Sequence, residues 1–318
     1  MNNTSPTAEE RIWSVLAHLS ALTLGMGILL PVIGWSEQRQ KSRYISFQCM
    51  QALGYQSLGY TVWLLSYILV VILLAVFPIF FAGSNPGDGR IFQIWLAIFM
   101  VVVLAAFGVY FVLPMIAAVA TALGKEFRYP IMGNRLANYL GYGPTMEMDP
   151  ALSEQHEDRW VAAMGHFSVI LPIWGILVPF VAWVLQGKRN PFLRFQTIQT
   201  LIYQGFTNLL YFGSMFVMMI AFIPMAMLAT LNGSYGSENI VAVGFLFVTL
   251  AIAMLILLVL PLFHILGQWA GYRVLKGNDY HYPVLGTLVE QRIAKGTLVS
   301  SAQEQAPVLQ TLNKDKPS

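Results

Sequence analysis

Charge is scarce in this chain of 318 residues. Only 10% of the residues are charged, against about a quarter in soluble domains, whereas 57% are apolar. No acidic residue falls inside a long apolar run. Proton-coupled pumps and many ion carriers place a carboxylate within the membrane, so this absence argues against that mechanism. The composition excludes a soluble globular enzyme and predicts a protein whose main partner is the lipid bilayer.

Cysteine and the motifs of familiar catalytic sites are also scarce. The single cysteine, Cys49, excludes an intrachain disulfide and has no metal-ligand spacing around it. The sequence lacks the motifs of nucleotide-binding loops, zinc proteases and serine hydrolases, and it lacks the clustered basic stripe of nucleic-acid-binding proteins. We therefore expect no enzyme activity, no cofactor, no metal site and no nucleic-acid partner.

Long apolar runs, separated by short polar breaks, make up most of the chain. A helix needs about 20 apolar residues to cross a bilayer, and several of the runs are longer than this. The runs cover residues 12–35, 45–82, 91–123, 160–185, 192–229 and 240–275. They predict an all-α integral membrane protein.

The second half of the chain repeats the first at an offset of 148 residues. The register holds without a gap from Arg11 to Gln56, which align with Arg159 and Gln204. It matches an arginine, a histidine, a tryptophan and several Gln and Ser residues, which apolar composition alone would not do. We predict a first membrane repeat over residues 1–140, a linker over 141–157, a second membrane repeat over 158–293 and a disordered tail over 294–318.

The first apolar run of each repeat has two interpretations. As one spanning helix, it distributes the basic residues over both membrane faces without a useful bias. Broken at residues 25–27 and 172–175, it becomes a hairpin whose arms, at about 20 Å or less, are too short for a hydrocarbon core of about 30 Å. The chain then returns to the side from which it started.

The hairpin places every basic residue except Arg90 on one membrane face, and basic residues concentrate on the cytoplasmic side. We therefore predict two tandem, parallel four-helix repeats, each a short hairpin plus two long helices, with about eight helical membrane elements. Both termini are predicted to be cytoplasmic, in a multi-pass protein of the inner or plasma membrane. A single kinked helix is the alternative, and the hairpin itself is either two short spans or a re-entrant loop.

Polar residues that recur in both repeats are the candidate functional residues. They are Arg11, His18, Gln48, Gln51 and Gln56 in the first repeat, and Arg159, His166, Gln196, Gln199 and Gln204 in the second. A buried amide without a partner costs on the order of 1 kcal/mol or more, so these side chains need partners. We favour hydrogen bonds that fix helix packing. The other interpretation is a polar seam that lines a cavity or contacts a partner.

Several motifs resemble a bacterial family of polytopic membrane proteins of unknown function. They are Glu10-Arg11, Ala17-His18-Leu19-Ser20, Phe47-Gln48-Cys49-Met50-Gln51-Ala52-Leu53 and Gly124-Lys125-Glu126-Phe127-Arg128-Tyr129-Pro130, with counterparts in the second repeat. That family is distantly similar to the Tic-twenty subunit of the chloroplast inner-envelope translocon. The resemblance implies a four-helix unit and a role in protein translocation. This chain departs from the family in being a fused pair and in lacking an acidic loop residue before a histidine.

Together these features predict a non-enzymatic integral membrane protein, either a structural or accessory subunit or a translocon-like component that contacts other membrane proteins. The alternative is a small-solute or ion channel or transporter whose pathway lies between the two repeats. The polar residues lie near one side, at helix beginnings, which favours the subunit. A third interpretation is lipid handling, with the basic loops at 39–43 and 188–194 facing anionic headgroups.

Overall fold

The chain folds into helices joined by short loops. The computed structural model describes residues 5–81, 89–142, 150–230 and 237–294, and no strand occurs within these ranges. The first repeat contains α1 (Ala8–Leu19), a 3-10 segment (Ser20–Ile28), α2 (Leu29–Gln38), α3 (Arg43–Phe81), α4 (Gly89–Ala122) and α5 (Met132–Tyr139). The second contains α6 (Pro150–Phe167), 3-10 turns at Ser168–Ile170 and Trp174–Ile176, α7 (Leu177–Gln186), α8 (Pro191–Thr230), α9 (Ser237–Leu275) and α10 (residues 285–294).

The first apolar run reverses direction. Thr7 caps α1, because its hydroxyl accepts from the Glu10 amide while the Glu10 carboxylate accepts from the Thr7 amide. A kink at Leu24, where φ is 55°, separates α1 from α2. At the far end of α2, Gln38 Nε2 donates to Glu9 Oε1 over 3.2 Å. Contact between the end of α2 and the start of α1 confirms the predicted hairpin.

The second repeat reverses in the same way. Ile173, with φ of 65°, lies between the two 3-10 turns that replace the single 3-10 segment of the first repeat. Beyond α7, the side-chain amide of Asn190 donates to Asp158 of α6, the counterpart of Glu10 in the first turn of α1. The two arms therefore lie side by side, and the fold predicted for each repeat is confirmed.

A glycine makes each bend possible. A Cβ added at Gly27 would lie 1.7 Å from the carbonyl oxygen of Ser20, and one added at Gly175 would lie 2.0 Å from that of Ser168. No side chain fits at these distances, so the backbone approaches itself this closely only where the residue is glycine.

Long apolar helices follow each hairpin. Four stretches of described helix are long and apolar enough to cross a membrane: Ala8–Gln38, Leu96–Ala122, Pro191–Ile223 and Val243–Leu275. The first of these is the hairpin, whose arms are each about 15–18 Å long at 1.5 Å per residue. The others are continuous, and most of their outward side chains are large and apolar, as contact with lipid requires.

The first turns of α6 fall in the stretch predicted to link the two repeats. Residues 150–157, predicted as linker, form these turns, and their two acidic side chains, Glu154 and Glu157, lie within ion-pair distance of Arg39 of the first repeat. The short helices α5 and α10 were not among the predicted elements. The predicted disordered tail, apart from residue 294, lies outside the described residues.

The two repeats pack side by side and point in the same direction. α2 packs against α7, and α3 packs against α6. Arg39, which follows α2, pairs with Asp158 in the middle of α6, with 2.6 Å between Nη1 and Oδ1. Asp158 corresponds to Glu10 in the first turn of α1, so it marks the open end of the second hairpin. Because this ion pair joins the open ends of the two hairpins, the repeats are parallel, in agreement with the charge pattern.

Candidate functional site: a duplicated histidine–glutamine–tyrosine cluster

In the first repeat, a buried histidine lies at the centre of a hydrogen-bond cluster. His18 on α1 contacts Gln48 on α3 (Nε2 to Oε1, 2.9 Å) and Tyr129 after α4 (Nδ1 to the hydroxyl, 3.0 Å). Gln51 donates to the Phe127 carbonyl over 2.9 Å and accepts from the Tyr129 amide over 3.1 Å. The cluster therefore ties α1, α3 and the loop after α4 together.

The second repeat contains the same cluster. His166 contacts Gln196 (Nε2 to Oε1, 3.1 Å) and Tyr282 (Nδ1 to the hydroxyl, 2.9 Å). Gln199 donates to the Tyr280 carbonyl over 2.7 Å and accepts from the Tyr282 amide over 3.2 Å. The histidine and both glutamines are fully buried in each repeat. These four contacts recur in both repeats, so the arrangement is a property of the repeated unit.

Hydrogen bonding determines which histidine nitrogen carries the proton. Gln196 Oε1 accepts from Gln199 Nε2 over 2.7 Å, so the oxygen of Gln196 is the atom that also faces His166 Nε2. We therefore assign the proton of the neutral imidazole to Nε2 and make Nδ1 the acceptor of the Tyr282 hydroxyl. Both ring nitrogens are then paired, as a buried imidazole requires. Such a saturated group is suited to holding helices together.

Tyrosines complete each cluster, and the sequence did not identify them. Tyr129 stacks on Tyr55 with ring centroids 4.3 Å apart, and Tyr282 stacks on Tyr203 with centroids 3.9 Å apart. Contacts between aromatic rings add about 0.5–1.5 kcal/mol beyond the area buried. The available signal was that both tyrosines of each pair recur at equivalent positions. The Tyr-Pro turns that follow α4 and α9 thus supply a partner for the histidine of each repeat.

Gln56 and Gln204 lie outside the clusters but within the same repeats. Gln56 Nε2 donates to the Ser20 hydroxyl over 3.0 Å. Gln204 Nε2 donates to the Gly165 carbonyl over 2.7 Å and to the Ser168 hydroxyl over 3.2 Å. Each glutamine therefore fastens the bend of its hairpin to the following long helix.

The two arginines of the predicted set lie apart from the clusters. Arg159 pairs with Asp279, with 3.0 Å between Nη2 and Oδ1, and its guanidinium lies over the Phe192 ring. Arg11 lies at the start of α1, where its Cδ is 3.7 Å from the position of a Cβ on Gly124. Neither arginine contacts the histidine of its repeat in the hydrogen bonds described.

The hydrogen bonds described for the predicted site residues all stay within one repeat. Protein groups of the same repeat therefore satisfy these side chains, as hydrogen bonds that fix helix packing would. The described part of the chain also contains no group of three or more His, Cys, Asp or Glu residues that could hold a metal ion.

Between the repeats, an arginine expected to face headgroups is buried instead. Arg39 pairs with Asp158 and approaches Glu157 to 3.6 Å, and its guanidinium lies 4.5 Å from the centroid of the Trp35 ring. The Trp35 indole donates to Glu157 over 2.9 Å. The expectation that loop 39–43 faces anionic headgroups is therefore wrong for Arg39, because carboxylates of α6 neutralise its charge. Burial raises the pKa of Asp158 to about 6, although Arg39 opposes this shift.

One family model matches both repeats. It is MamF/MmsF, the magnetosome magnetite crystal formation protein family, and it matches residues 9–136 and 157–289. The two segments support a bacterial membrane family with an internal duplication. They do not support the expected resemblance to the Tic-twenty subunit. No curated protein and no solved structure matches the chain. Because the family model covers most of its length, this chain belongs to the magnetosome magnetite crystal formation protein family and carries the family's unit twice.

Proposed function

We propose that this protein is a non-enzymatic structural or accessory subunit of the magnetosome membrane that acts in magnetite crystal formation. The family match supports the setting. The observation that carries the subunit role is the duplicated cluster, in which each recurrent histidine and glutamine is buried and bound by groups of the same repeat. A catalytic or transport site presents polar groups to its substrate, whereas these groups maintain the fold.

In this proposal, the outer faces of the long helices contact lipid and neighbouring membrane proteins, and both termini lie on the cytoplasmic side. Reporter fusions test the orientation without disturbing the core. Fusions at the N-terminus and after Gln40 are expected to report the same side, and a fusion after Asn85 the opposite side. If the first two fusions report different sides, the proposed orientation is wrong.

The functional test is deletion and complementation in a magnetite-forming host. Deletion is expected to change the size or number of crystals seen by electron microscopy, and the intact gene is expected to restore them. A Gln51→Leu, Gln199→Leu variant should fail to complement and should accumulate less, whereas Leu209→Ala, at an exposed position of α8, serves as the control. Unchanged crystals after deletion, with the protein absent from the magnetosome membrane fraction, would refute the proposal.

A translocon-like or channel role makes a different prediction. Purified protein in planar bilayers is expected not to conduct ions. Steady conduction that is lost when Gln51 and Gln199 are replaced by leucine, in a variant that stays folded, would replace the subunit proposal with a channel. Affinity capture in mild detergent then identifies any stoichiometric membrane partner.

A further inference from the structure

The two repeats meet through an interface in which α6 of the second lies against α3 and α5 of the first. Trp160 Nε1 donates to the Met50 carbonyl over 3.0 Å, and His156 Nδ1 lies 2.6 Å from the Tyr139 carbonyl oxygen. A Cβ added at Gly54 would come within 2.5 Å of the Trp160 ring, so the glycine makes room for the tryptophan. We call this contact of α6 with α3 and α5 the internal interface.

The equivalent groove of the second repeat is open. At the offset of 148, Met50 and Gly54 correspond to Ile198 and Ile202 on α8, and α10 takes the place of α5. Ile202 is 47% exposed where Gly54 is buried, and Ile198 is half-buried where Met50 is fully buried. The open groove has a volume of about 360 Å³, and its lining includes Arg194, Ile198, Ile202, Leu288 and Arg292.

The outer face of α1 is uncovered too. Ile12 and Leu16 occupy the positions that Trp160 and Met164 occupy in α6. Ile12 is 59% exposed and Trp160 only 7%, and Leu16 is exposed where Met164 is buried. This face of α1 lines an apolar groove of about 330 Å³.

The second arms of the two hairpins, α2 and α7, also differ in how far they are covered. Trp35 on α2 is fully buried, and its indole donates to Glu157 in the middle of α6. Trp183, at the equivalent position on α7, is 38% exposed. Glu9, which corresponds to Glu157, is exposed at the start of α1. Both halves of the internal interface thus have uncovered counterparts, one on α1 and the other on α7, α8 and α10.

We propose that a second copy of this chain covers the open groove, with its α1 lying between α8 and α10 as α6 lies between α3 and α5. Ile12 against Ile202 then replaces Trp160 against Gly54. Two medium-sized side chains take the place of a large and a small one, an exchange of similar total volume. This inference goes beyond the proposed function, because it depends on the internal duplication and not on crystal formation.

Charge complementarity favours this occupant. The groove contains Arg194 and Arg292, and Lys188 and Arg189 are exposed in the loop before it. The first turn of α1 carries two acidic residues, Glu9 and Glu10. The arriving carboxylates would meet these cations as Glu157 and Asp158 meet Arg39 in the internal interface, while Arg11 of the arriving helix lies beside Gly124 of its own repeat.

The contact joins different surfaces of the two copies, so it is a head-to-tail contact. Such contacts either close into a ring or continue as an open row. Because the repeats within one chain are parallel, copies joined in the same way all have the same orientation in the membrane.

Cysteine crosslinking in native membranes tests the contact. Two differently tagged full-length chains are co-expressed, one with Ile12→Cys and the other with Ile202→Cys, and treated with a short thiol crosslinker. We expect mixed-tag dimers and no dimers between two Ile12→Cys chains, since identical positions do not meet head to tail. Leu209→Cys, exposed about two turns further along α8, replaces Ile202→Cys in the matched control. Cys49 is buried and stays unreacted.

An exchange of side-chain size supplies a second readout. Ile12→Trp in one chain or Ile202→Gly in the other should each reduce the mixed-tag complex recovered in mild detergent by about 2- to 100-fold. The two changes together recreate the Trp160–Gly54 pair and should restore recovery. The proposal is overturned if mixed-tag crosslinks do not exceed the Leu209→Cys control, which would leave the groove to lipid. It is also overturned if Ile12→Cys chains crosslink to each other. Crosslinks that appear only after residues 295–318 are removed would overturn it too, because the groove of the full-length chain would then be closed to a second copy.

Discussion

Removing one hydroxyl from each cluster is expected to have unequal effects, because the second repeat has a spare partner for its histidine. In that repeat the Thr200 hydroxyl lies 3.0 Å from His166 Nδ1, beside the Tyr282 hydroxyl. The equivalent residue of the first repeat is Ala52, which has no hydrogen-bonding side chain. Tyr129→Phe therefore leaves His18 Nδ1 without the one side-chain partner described for it, whereas Tyr282→Phe does not isolate His166.

The two losses differ by about 1 kcal/mol. An unsatisfied buried acceptor costs about 1–3 kcal/mol, while hydrogen bonds between membrane helices average about 0.6 kcal/mol and reach about 1.7. We expect Tyr129→Phe to lower the free energy of unfolding by about 1.5 kcal/mol. Tyr282→Phe should lower it by about 0.5 kcal/mol, because Thr200 can turn its hydroxyl from the Gln196 carbonyl toward Nδ1.

Reversible unfolding in bicelles or mixed micelles measures the difference. Ala52→Thr should reduce the loss in the Tyr129→Phe background, and Thr200→Ala should increase the loss in the Tyr282→Phe background until the repeats behave alike. Equal losses for the two tyrosine variants, unaffected by residues 52 and 200, would refute the hydrogen-bond assignment.

Arg39→Met should lower the free energy of unfolding by about 3–5 kcal/mol, measured by thermal unfolding, because it leaves Glu157 and Asp158 buried without their cation. Lys188→Met, at an exposed position, is the control and should have little effect. Stability should rise as the pH falls from 7 to 5, because a folded-state pKa of about 6 for Asp158, above its usual 3.8, means that ionisation opposes folding. Asp158→Asn should flatten this dependence, and an unchanged slope in that variant would exclude Asp158 as its source. Gly175→Ala should prevent correct folding, since its Cβ would lie 2.0 Å from a carbonyl oxygen, whereas Gly205→Ala, with open space around it, should be tolerated in a folded-yield assay.

The hairpins were predictable because two independent signals agreed. The arms are too short to cross a bilayer, and folding them back gathers the basic residues on one face. The position of α6 was not predictable from composition. Residues 150–157 contain two acidic residues, as a solvated linker can, but one of them, Glu157, accepts hydrogen bonds from Trp35 of α2 and from Tyr142, which follows α5.

The candidate cluster was predictable only in part. Recurrence at the offset of 148 identified the histidines and glutamines, because polar groups in an apolar helix need partners. Their tyrosine partners lie far along the chain, 111 residues beyond His18 in the first repeat, and periodicity within a helix carries no information at that distance. The role of Arg39 was not predicted, because Arg39 does not recur in the second repeat. Its counterpart is Gly187, so the contact between the repeats depends on a residue that the duplication does not repeat.

Carrying both units on one polypeptide has a consequence for how strong the Arg39 contacts must be. Tethering keeps each unit at a local concentration in the millimolar range with respect to the other, however few molecules the membrane holds. An association too weak to survive dilution between separate chains is therefore sufficient here. Expressed as two independent polypeptides, the same halves would pair only to the extent that their concentration in the membrane allowed, whereas the fused form guarantees one partner for each.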